Sequence, residues 1–304
     1  MWLPPLPGPH PVPGTFLPMI SVVIPVFNGA TTIGDQLSAL GAQDMDLPWE
    51  VVVADNGSTD DTVEVVRRHA GVLPRLTVVD ASGRRGPAAA RNMGVAAAVG
   101  DVFAFCDADD VVAPGWLATM ARATAVHDFV AGGLDFNFCR PDLDRPEPAL
   151  EPIAAPTGGS YGWLKYALAA NMAVSRSAFA AAGGFAEELH AGEDLDLSWR
   201  LQIAGHPLHY EPGALVHKRP RPNNRQLMRQ QVNYGRHDVV LYKRLRGAGM
   251  PRRPLMLQVK LYGWAVLNTW RLAAGGKNRA TWICAVSAEV GRVIGSVQHR
   301  TLYL

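Results

Sequence analysis

Four times before residue 111, a short apolar or β-branched run stops at a polar, glycine-bearing or acidic loop, and this recurrence limits the fold more than any other feature. The runs are residues 20–24, ending at Pro25; 50–54, ending at Asp55-Asn56-Gly57; 76–79; and 102–106, leading into Asp107-Ala108-Asp109-Asp110. Such runs read as buried parallel strands. Between the first two, residues 31–42 place Ile33, Leu37 and Leu40 on one helical face, completing a βαβ unit with a right-handed crossover. A helix over 59–69 follows the second run, with Ser58 as its cap and Asp60 and Asp61 in its first turn. A basic, glycine-bearing loop at 83–86 then precedes a helix over 88–98. Four strand-then-loop events predict an α/β, Rossmann-like, mainly parallel sheet flanked by helices, with ligand at the carboxyl ends of the strands.

With 304 residues the chain has room for one large α/β domain and an extension. An apolar share of 48% and a charged share of 18% exclude a wholly disordered protein. Residues 1–18 hold seven prolines and lack the basic and apolar regions of a signal peptide, so they read as a disordered leader. Residues 111–160 show little pattern, and 141–156 form a proline-rich connector. Further on, 172–175 read as a strand, 178–182 as a helix stopped by Gly183-Gly184, and 193–204 as a helix with Leu197, Leu201 and Ala204 on one side. Cys106, Cys139 and Cys284 stand too far apart for a zinc motif and suit a reduced, cytoplasmic setting.

The net charge of +2 hides a division. Residues 1–217 hold 12 Lys and Arg against 25 Asp and Glu, whereas 218–304 hold 17 against 2. The basic segment reads as helical, with Leu261, Trp264, Val266, Leu267 and Trp270 among Lys260 and Arg271 over 259–272, and a further helix over 282–297. No run reaches the ~18 consecutive apolar residues of a spanning helix, so the expectation is a helix lying on an anionic membrane surface, on the inner face of the cell membrane.

The chemistry concentrates at the strand ends. Asp107, Asp109 and Asp110 can hold a hard divalent ion against a leaving diphosphate, although acidic clusters after a strand also cap helices. Asp55 can accept a hydrogen bond from a base, and Asn28 can meet base or ribose; Asp55-Asn56-Gly57 can equally be only a turn. Arg91, near a helix start, suits phosphate contact, while Arg84 and Arg85 suit phosphate or solvent. Glu193 and Asp194 open a helix, where a carboxylate can take a proton from an acceptor hydroxyl or merely complement the helix dipole. His217 is a metal ligand or a structural histidine.

Five segments in order, Ser21-Val22-Val23-Ile24-Pro25-Val26-Phe27-Asn28, Val53-Ala54-Asp55-Asn56-Gly57-Ser58-Thr59-Asp60, Ala90-Arg91-Asn92-Met93-Gly94, Cys106-Asp107-Ala108-Asp109-Asp110 and Gly192-Glu193-Asp194-Leu195-Asp196-Leu197, resemble the motifs of the family 2 glycosyltransferases. The resemblance spans residues 20–221 and implies a GT-A type fold, inverting transfer from a UDP- or GDP-sugar, and Mg²⁺ or Mn²⁺. It implies that Pro25, Val26, Phe27, Asn28 and Asp55 hold the nucleoside, with Arg91 near the nucleotide and Asp107 on the ribose side. Asp109 would be the metal ligand, Asp194 the general base with Glu193 in support, and His217 a further ligand.

Asn56 departs from the family, which often has a second acid there. The Gln-x-x-Arg-Trp pattern of processive synthases is also broken, since Gln226 and Arg229 are followed by Gln230. Transfer of one sugar to a glycan, lipid-linked or small-molecule acceptor is therefore the expectation. Domain bounds follow as 1–18 leader, 19–221 catalytic domain and 222–304 basic helical extension. Two rivals remain: a nucleotidyltransferase, which would carry a glycine- and basic-rich loop after the first strand, and a non-catalytic protein binding nucleic acid or membrane through the basic segment. The tryptophans there favour a lipid interface over nucleic acid.

Overall fold

A computed structural model describes residues 18–135, 162–219, 224–274 and 276–303; the proline-rich leader up to residue 17 and the 141–156 connector lie outside the described residues. The first half of the sheet is built as the sequence predicts. Strands β1 (Ile20–Val26), β2 (Trp49–Asp55), β3 (Leu76–Asp80) and β4 (Val102–Cys106) are all parallel, in the order β3-β2-β1-β4. Helices α1 (Ile33–Gly41), α2 (Thr62–Arg68) and α3 (Pro87–Ala97) connect them. Nearly every residue of β1, β2 and β4 is buried, as strands covered on both faces must be.

The chain works outward from β1 to β3 and then crosses back to β4, so the order reverses between β1 and β4. There the pairing of β1 with β4 stops at Val23–Phe105, while β1 stays paired with β2 as far as Val26–Asp55. Beyond Val23 the two strands separate, and the gap at this switch point is where a ligand cleft belongs. β1 runs on through Pro25, whose missing N–H costs nothing on the side where β4 has left.

The second half of the sheet is mixed. β5 (Val111–Val112), helix α4 (Trp116–Thr124) and β6 (Phe129–Asp135) are followed by β7 (Asn171–Ser175), α5 (Arg176–Ala181), α6 (Glu193–Ile203) and β8 (His209–His217). β7 lies antiparallel between β4 and β6, β8 runs parallel to β6, and β5 closes the eight-stranded sheet antiparallel to β8. The β6–β8 register slips at Gly132/Gly133. Asn171 fills that bulge: its amide donates to the Gly133 and Ala214 carbonyls at 2.6 and 2.8 Å and its carbonyl accepts from the Trp116 indole at 2.8 Å. A Cβ on Gly132 would collide with this side chain.

The basic segment forms α7 (Asn224–Leu245), α8 (Leu255–Leu267), α9 (Arg271–Ala274) and α10 (Gly276–Gln298). Val239, Leu241, Tyr242, Leu245, Met250 and Tyr303 share one apolar cluster with Leu195 and Trp199, so α7 packs directly on α6. Arg244 reaches the buried Asp196 at 2.8 Å across the same joint. α7 and α10 cross closely because Gly235, Gly291 and Gly295 carry no side chain; a Cβ on any of them would meet the partner's backbone. Residues Asn278–Gln298 are long and apolar enough to cross a membrane by length and composition alone.

Three predicted helices shift by three residues or more, the one predicted over 282–297 beginning already at Gly276. α2 begins at Thr62, because Ser58 is spent elsewhere: its hydroxyl accepts from Asn28 N–H at 2.9 Å, and the Asp60 carboxylate instead accepts from Thr62 N–H at 3.1 Å. The helix predicted over 259–272 breaks after Leu267. Asn268 and Thr269 turn their side chains back onto the Trp264 and Val266 carbonyls, at 2.9 and 3.1 Å, and so end α8.

Candidate active site

A cleft of about 1340 Å³ opens at the β1/β4 switch point. One wall holds the sequence-predicted residues Pro25, Val26, Phe27, Asn28, Arg91, Asp107 and Asp109, and the floor holds Glu193 and Asp194. The facing wall was not foreseen: it is made by Leu227, Gln230, Gln231, Tyr234 and His237 of α7 and by Ala280 and Ala288 of α10. Asp55 and His217 flank the cleft without lining it.

The β1 loop is pinned from its neighbours. Asn28 takes a left-handed backbone (φ 51°), and its side-chain carbonyl accepts from Thr59 N–H at 2.7 Å, while Gly29 N–H donates to the Thr62 hydroxyl at 2.8 Å. Phe27 is left 53% exposed on the cleft rim, a flat apolar surface on which a base can stack. Asp55 turns its carboxylate onto Ser58 N–H. Asn56 fastens the basic loop: its amide donates to the Ala81 and Arg84 carbonyls at 2.6 and 2.9 Å and its carbonyl accepts from Gly86 N–H at 2.8 Å. An amide supplies donors and acceptor together, which an acid cannot, and that accounts for Asn at this position. The loop brings Arg85 to the cleft and leaves Arg84 paired with Glu187 at 3.2 Å.

The Asp107–Val112 turn is held by buried Gln36, whose amide donates to the Asp107 carbonyl and whose carbonyl accepts from Val112 N–H at 2.9 Å. Donor oxygens of Asp107, Asp109 and Asp110 lie within 4.8 Å of one another. This all-oxygen set fits a hard divalent ion such as Mg²⁺ or Mn²⁺. His217 is not in that compact group; its Nδ1 lies 2.8 Å from Asp135 at the adjacent end of β6, which fixes the ring.

Arg91 carries a different load from the one its sequence position suggests. It is 4% exposed, donates to Glu193 at 2.8 Å and to Asp107 at 2.9 Å, and so joins the acid turn to the start of α6. Both terminal nitrogens are engaged by carboxylates, and the phosphate contact expected of Arg91 gives way to this strut.

Lys218 and Asp110 complete the arrangement; the sequence offered Asp110 only as one of three candidate ion-holding acids and gave Lys218 no role. The Lys218 ammonium bridges Asp107 at 3.2 Å and the fully buried Asp110 at 2.5 Å, while Asp110 also accepts from Arg219 N–H at 3.2 Å. Asp110 thus anchors the segment after β8 against the β4 turn. The signal for Lys218 was its place directly after His217 at a strand end. Burial works against charge on Asp107, but Lys218 and Arg91 outweigh it and hold its carboxyl down at about 2.

Glu193 and Asp194 are now separable. Glu193 is buried and committed to Arg91. Asp194 accepts from Ala169 N–H at 3.2 Å and Leu195 N–H at 2.9 Å. Burial, and then the Glu193 carboxylate, push it up to about 7 against the pull of Arg91. Gly192, left-handed at φ 75°, caps the helix and lets Leu241 of α7 approach.

Parallel strands splitting around an acid-lined nucleotide-sized cleft, with a mixed extension of the sheet behind it, define a glycosyltransferase domain of GT-A fold. The glycosyl transferase family 2 model matches residues 21–180, and the chain belongs to that family. The pre-mycofactocin glycosyltransferase of Mycobacterium tuberculosis is 30% identical over 254 residues, covering 75% of this chain and 48% of that protein. The chain thus spans about half the length of that curated relative. Glycosyltransferase AglE of Haloferax volcanii is 28% identical over 234 residues, 74% of this chain and 75% of that one. Among solved structures, the mannosyltransferase PcManGT from Pyrobaculum calidifontis, in complex with GDP-Man and Mn²⁺, superposes with a TM-score of 0.64 at 22% identity, over 92% of this chain and 88% of that chain. TarS 1–349 of S. aureus, in complex with UDP-GlcNAc, gives 0.53 at 18% identity, over 94% and 93%. At these identities the structural likeness speaks for the fold.

Proposed function

We propose that the chain transfers one sugar, with inversion, from a UDP- or GDP-sugar to an acceptor hydroxyl on a glycan, glycolipid or small molecule. The observation that carries this reading is a single cleft in which the Asp107–Asp109 turn and Asp194 are held at a fixed spacing by the Arg91–Glu193 strut. The donors named for the two solved relatives, GDP-Man and UDP-GlcNAc, support a nucleotide sugar.

In this mechanism Phe27, with Pro25, Val26 and Asn28, seats the nucleoside at the β1 end, Asp55 steadies the adjoining loop, and Arg85 and Lys218 face the diphosphate. Asp109 would hold a divalent ion, with Asp107 beside it on the ribose side of the nucleotide; when bound the ion supplies charge neutralisation to the departing nucleoside diphosphate. Asp194 takes the proton of the attacking hydroxyl from the other side of the anomeric carbon. A carboxyl raised to about 7 has the basicity this needs near neutral pH. The α7 wall borders the acceptor, and Gln230, standing where processive synthases carry Trp, fits single transfer.

Thermal-shift titration with UDP, GDP and Mn²⁺, followed by a nucleotide-sugar panel scored for donor hydrolysis, tests the reading. Stabilisation by a nucleoside diphosphate that depends on Mn²⁺, with release of that diphosphate from one donor, is the expected result. Stabilisation by duplex DNA with no nucleotide response would overturn it.

A further inference from the structure

The exposed apolar side chains of this protein are concentrated in one place. In the catalytic body they are scattered, whereas α8, the turn after it and α10 expose Val266 (70%), Leu267 (78%), Trp270 (56%), Val290 and Val297 together with Met256. α8 is apolar around nearly its whole circumference, a composition that in a soluble helix goes with burial on all sides.

The charges around this patch have one sign. Beyond His217 the sequence holds 17 basic residues and only two acids, Asp238 and Glu289. Both acids are buried and spent: Asp238 on Arg292 at 2.7 Å, and Glu289 on Arg253 at 2.9 Å and on Arg292. Among the described residues after β8, the charged groups left on the surface are therefore all cationic. Lys260 stands exposed on α8, and Arg271 stacks over Trp264 and Trp270 at 5.6 and 5.3 Å.

We propose that α8, α9 and the outer side of α10 form a face that seats this protein on an anionic lipid bilayer. An apolar crest carrying an exposed tryptophan and flanked by cations is the pattern of a helix lying at the headgroup boundary. A second copy of the chain fits the same face poorly, because a two-fold contact would set the cationic rim against itself. α10 packs lengthwise on the polar α7 and buries its Glu289–Arg292 pair there, which suits lying on the surface over crossing it. The same helix supplies Ala280 and Ala288 to the cleft wall, so a seated molecule holds its acceptor side at the lipid boundary and the acceptor is lipid-borne. That last consequence, unlike the seating itself, rests on the transferase reading.

The test is co-flotation of the full chain with vesicles of phosphatidylcholine alone or mixed with phosphatidylglycerol. The wild type should float with the phosphatidylglycerol vesicles, less with phosphatidylcholine alone, and less at high salt. The triple variant Val266→Glu/Leu267→Glu/Trp270→Glu should lose at least ~tenfold in bound fraction while keeping its circular dichroism spectrum and nucleotide-induced thermal shift. Should the triple variant misfold, Leu267→Glu alone should still weaken flotation several-fold. A wild type that stays at the bottom, a folded variant that floats unchanged, or a wild-type dimer that the variant splits without vesicles overturns the proposal. The nucleotide response is read separately, so loss of flotation leaves the transferase reading standing.

Discussion

The two walls of the cleft differ in how they are made. The wall from β1, β2 and β4 is assembled from strand ends within the first 112 residues, and its side chains are locked by hydrogen bonds between neighbouring loops: Asn28 to Thr59, Asn56 to Gly86, Gln36 to Val112. The opposite wall comes from α7 and α10, more than a hundred residues later, and its Gln230, Tyr234 and His237 are tied within α7 itself, Gln230 to the Tyr234 hydroxyl and His237 to the Asn233 carbonyl. A rigid, acid-rich wall suits a donor whose diphosphate must be met in one geometry. The helical wall rests on apolar packing with α6 and is free to vary its surface residues, which suits acceptor selection.

The largest effect should fall on the proposed base. Asp194→Asn should lower kcat by ~10²–10⁴ while leaving nucleotide-induced stabilisation in place, and the wild-type rate should fall on the acid side with a midpoint near 7. The sign for stability follows from the same shift. A carboxyl raised above its unfolded value, near ~4, contributes fully below that value and loses the contribution as pH rises through about 7. The Asn variant should therefore lose less Tm than the wild type on going from acid to alkaline buffer. An unchanged rate or an unchanged pH profile would remove Asp194 from the role.

Next, Asp109→Ala should abolish Mn²⁺-dependent stabilisation by nucleoside diphosphate and reduce turnover by ~10²–10³. Isothermal titration with Mn²⁺ reads this directly. Arg91→Ala then tests the strut that joins the two halves of the chemistry. It leaves Asp107 and the buried Glu193 without their shared partner and should cost about 3–5 kcal/mol in denaturant unfolding. The smallest expected effect separates the walls: Tyr234→Ala should raise the acceptor KM about 2- to 10-fold with donor hydrolysis unchanged. If it raises donor KM instead, the assignment of walls is reversed.

Much of the first wall was legible in the sequence because its signals are local. Strand runs, the turns after them and the Asp107–Asp109 pair all follow from short stretches of residues, and β1 to β4 appear where those stretches predict. Residues 111–135 were not legible, since the two-residue β5 and the Gly132/Gly133 bulge depend on pairing with β8 and on Asn171 from another part of the chain. Arg91 shows the same limit from the other side. The expectation placed it by the nucleotide, but one of its two carboxylate partners, Glu193, comes from a helix 102 residues away, and Asp107 from the turn 16 residues on.

What the sequence by itself determined is the α/β class, the decorated strand ends, the acid cluster and the opposite charge of the two parts of the chain. Periodicity and turn chemistry act between near neighbours, and net charge is a sum that needs no coordinates. Only the tertiary structure decided that Glu193 is paired with Arg91 while Asp194 is not, that Lys218 holds Asp107 and Asp110 together, and that the basic helices form a wall of the site. Those outcomes turn on burial and on which distant side chains meet within about 3 Å, the range over which hydrogen bonds act, and the chain acquires both only when it packs.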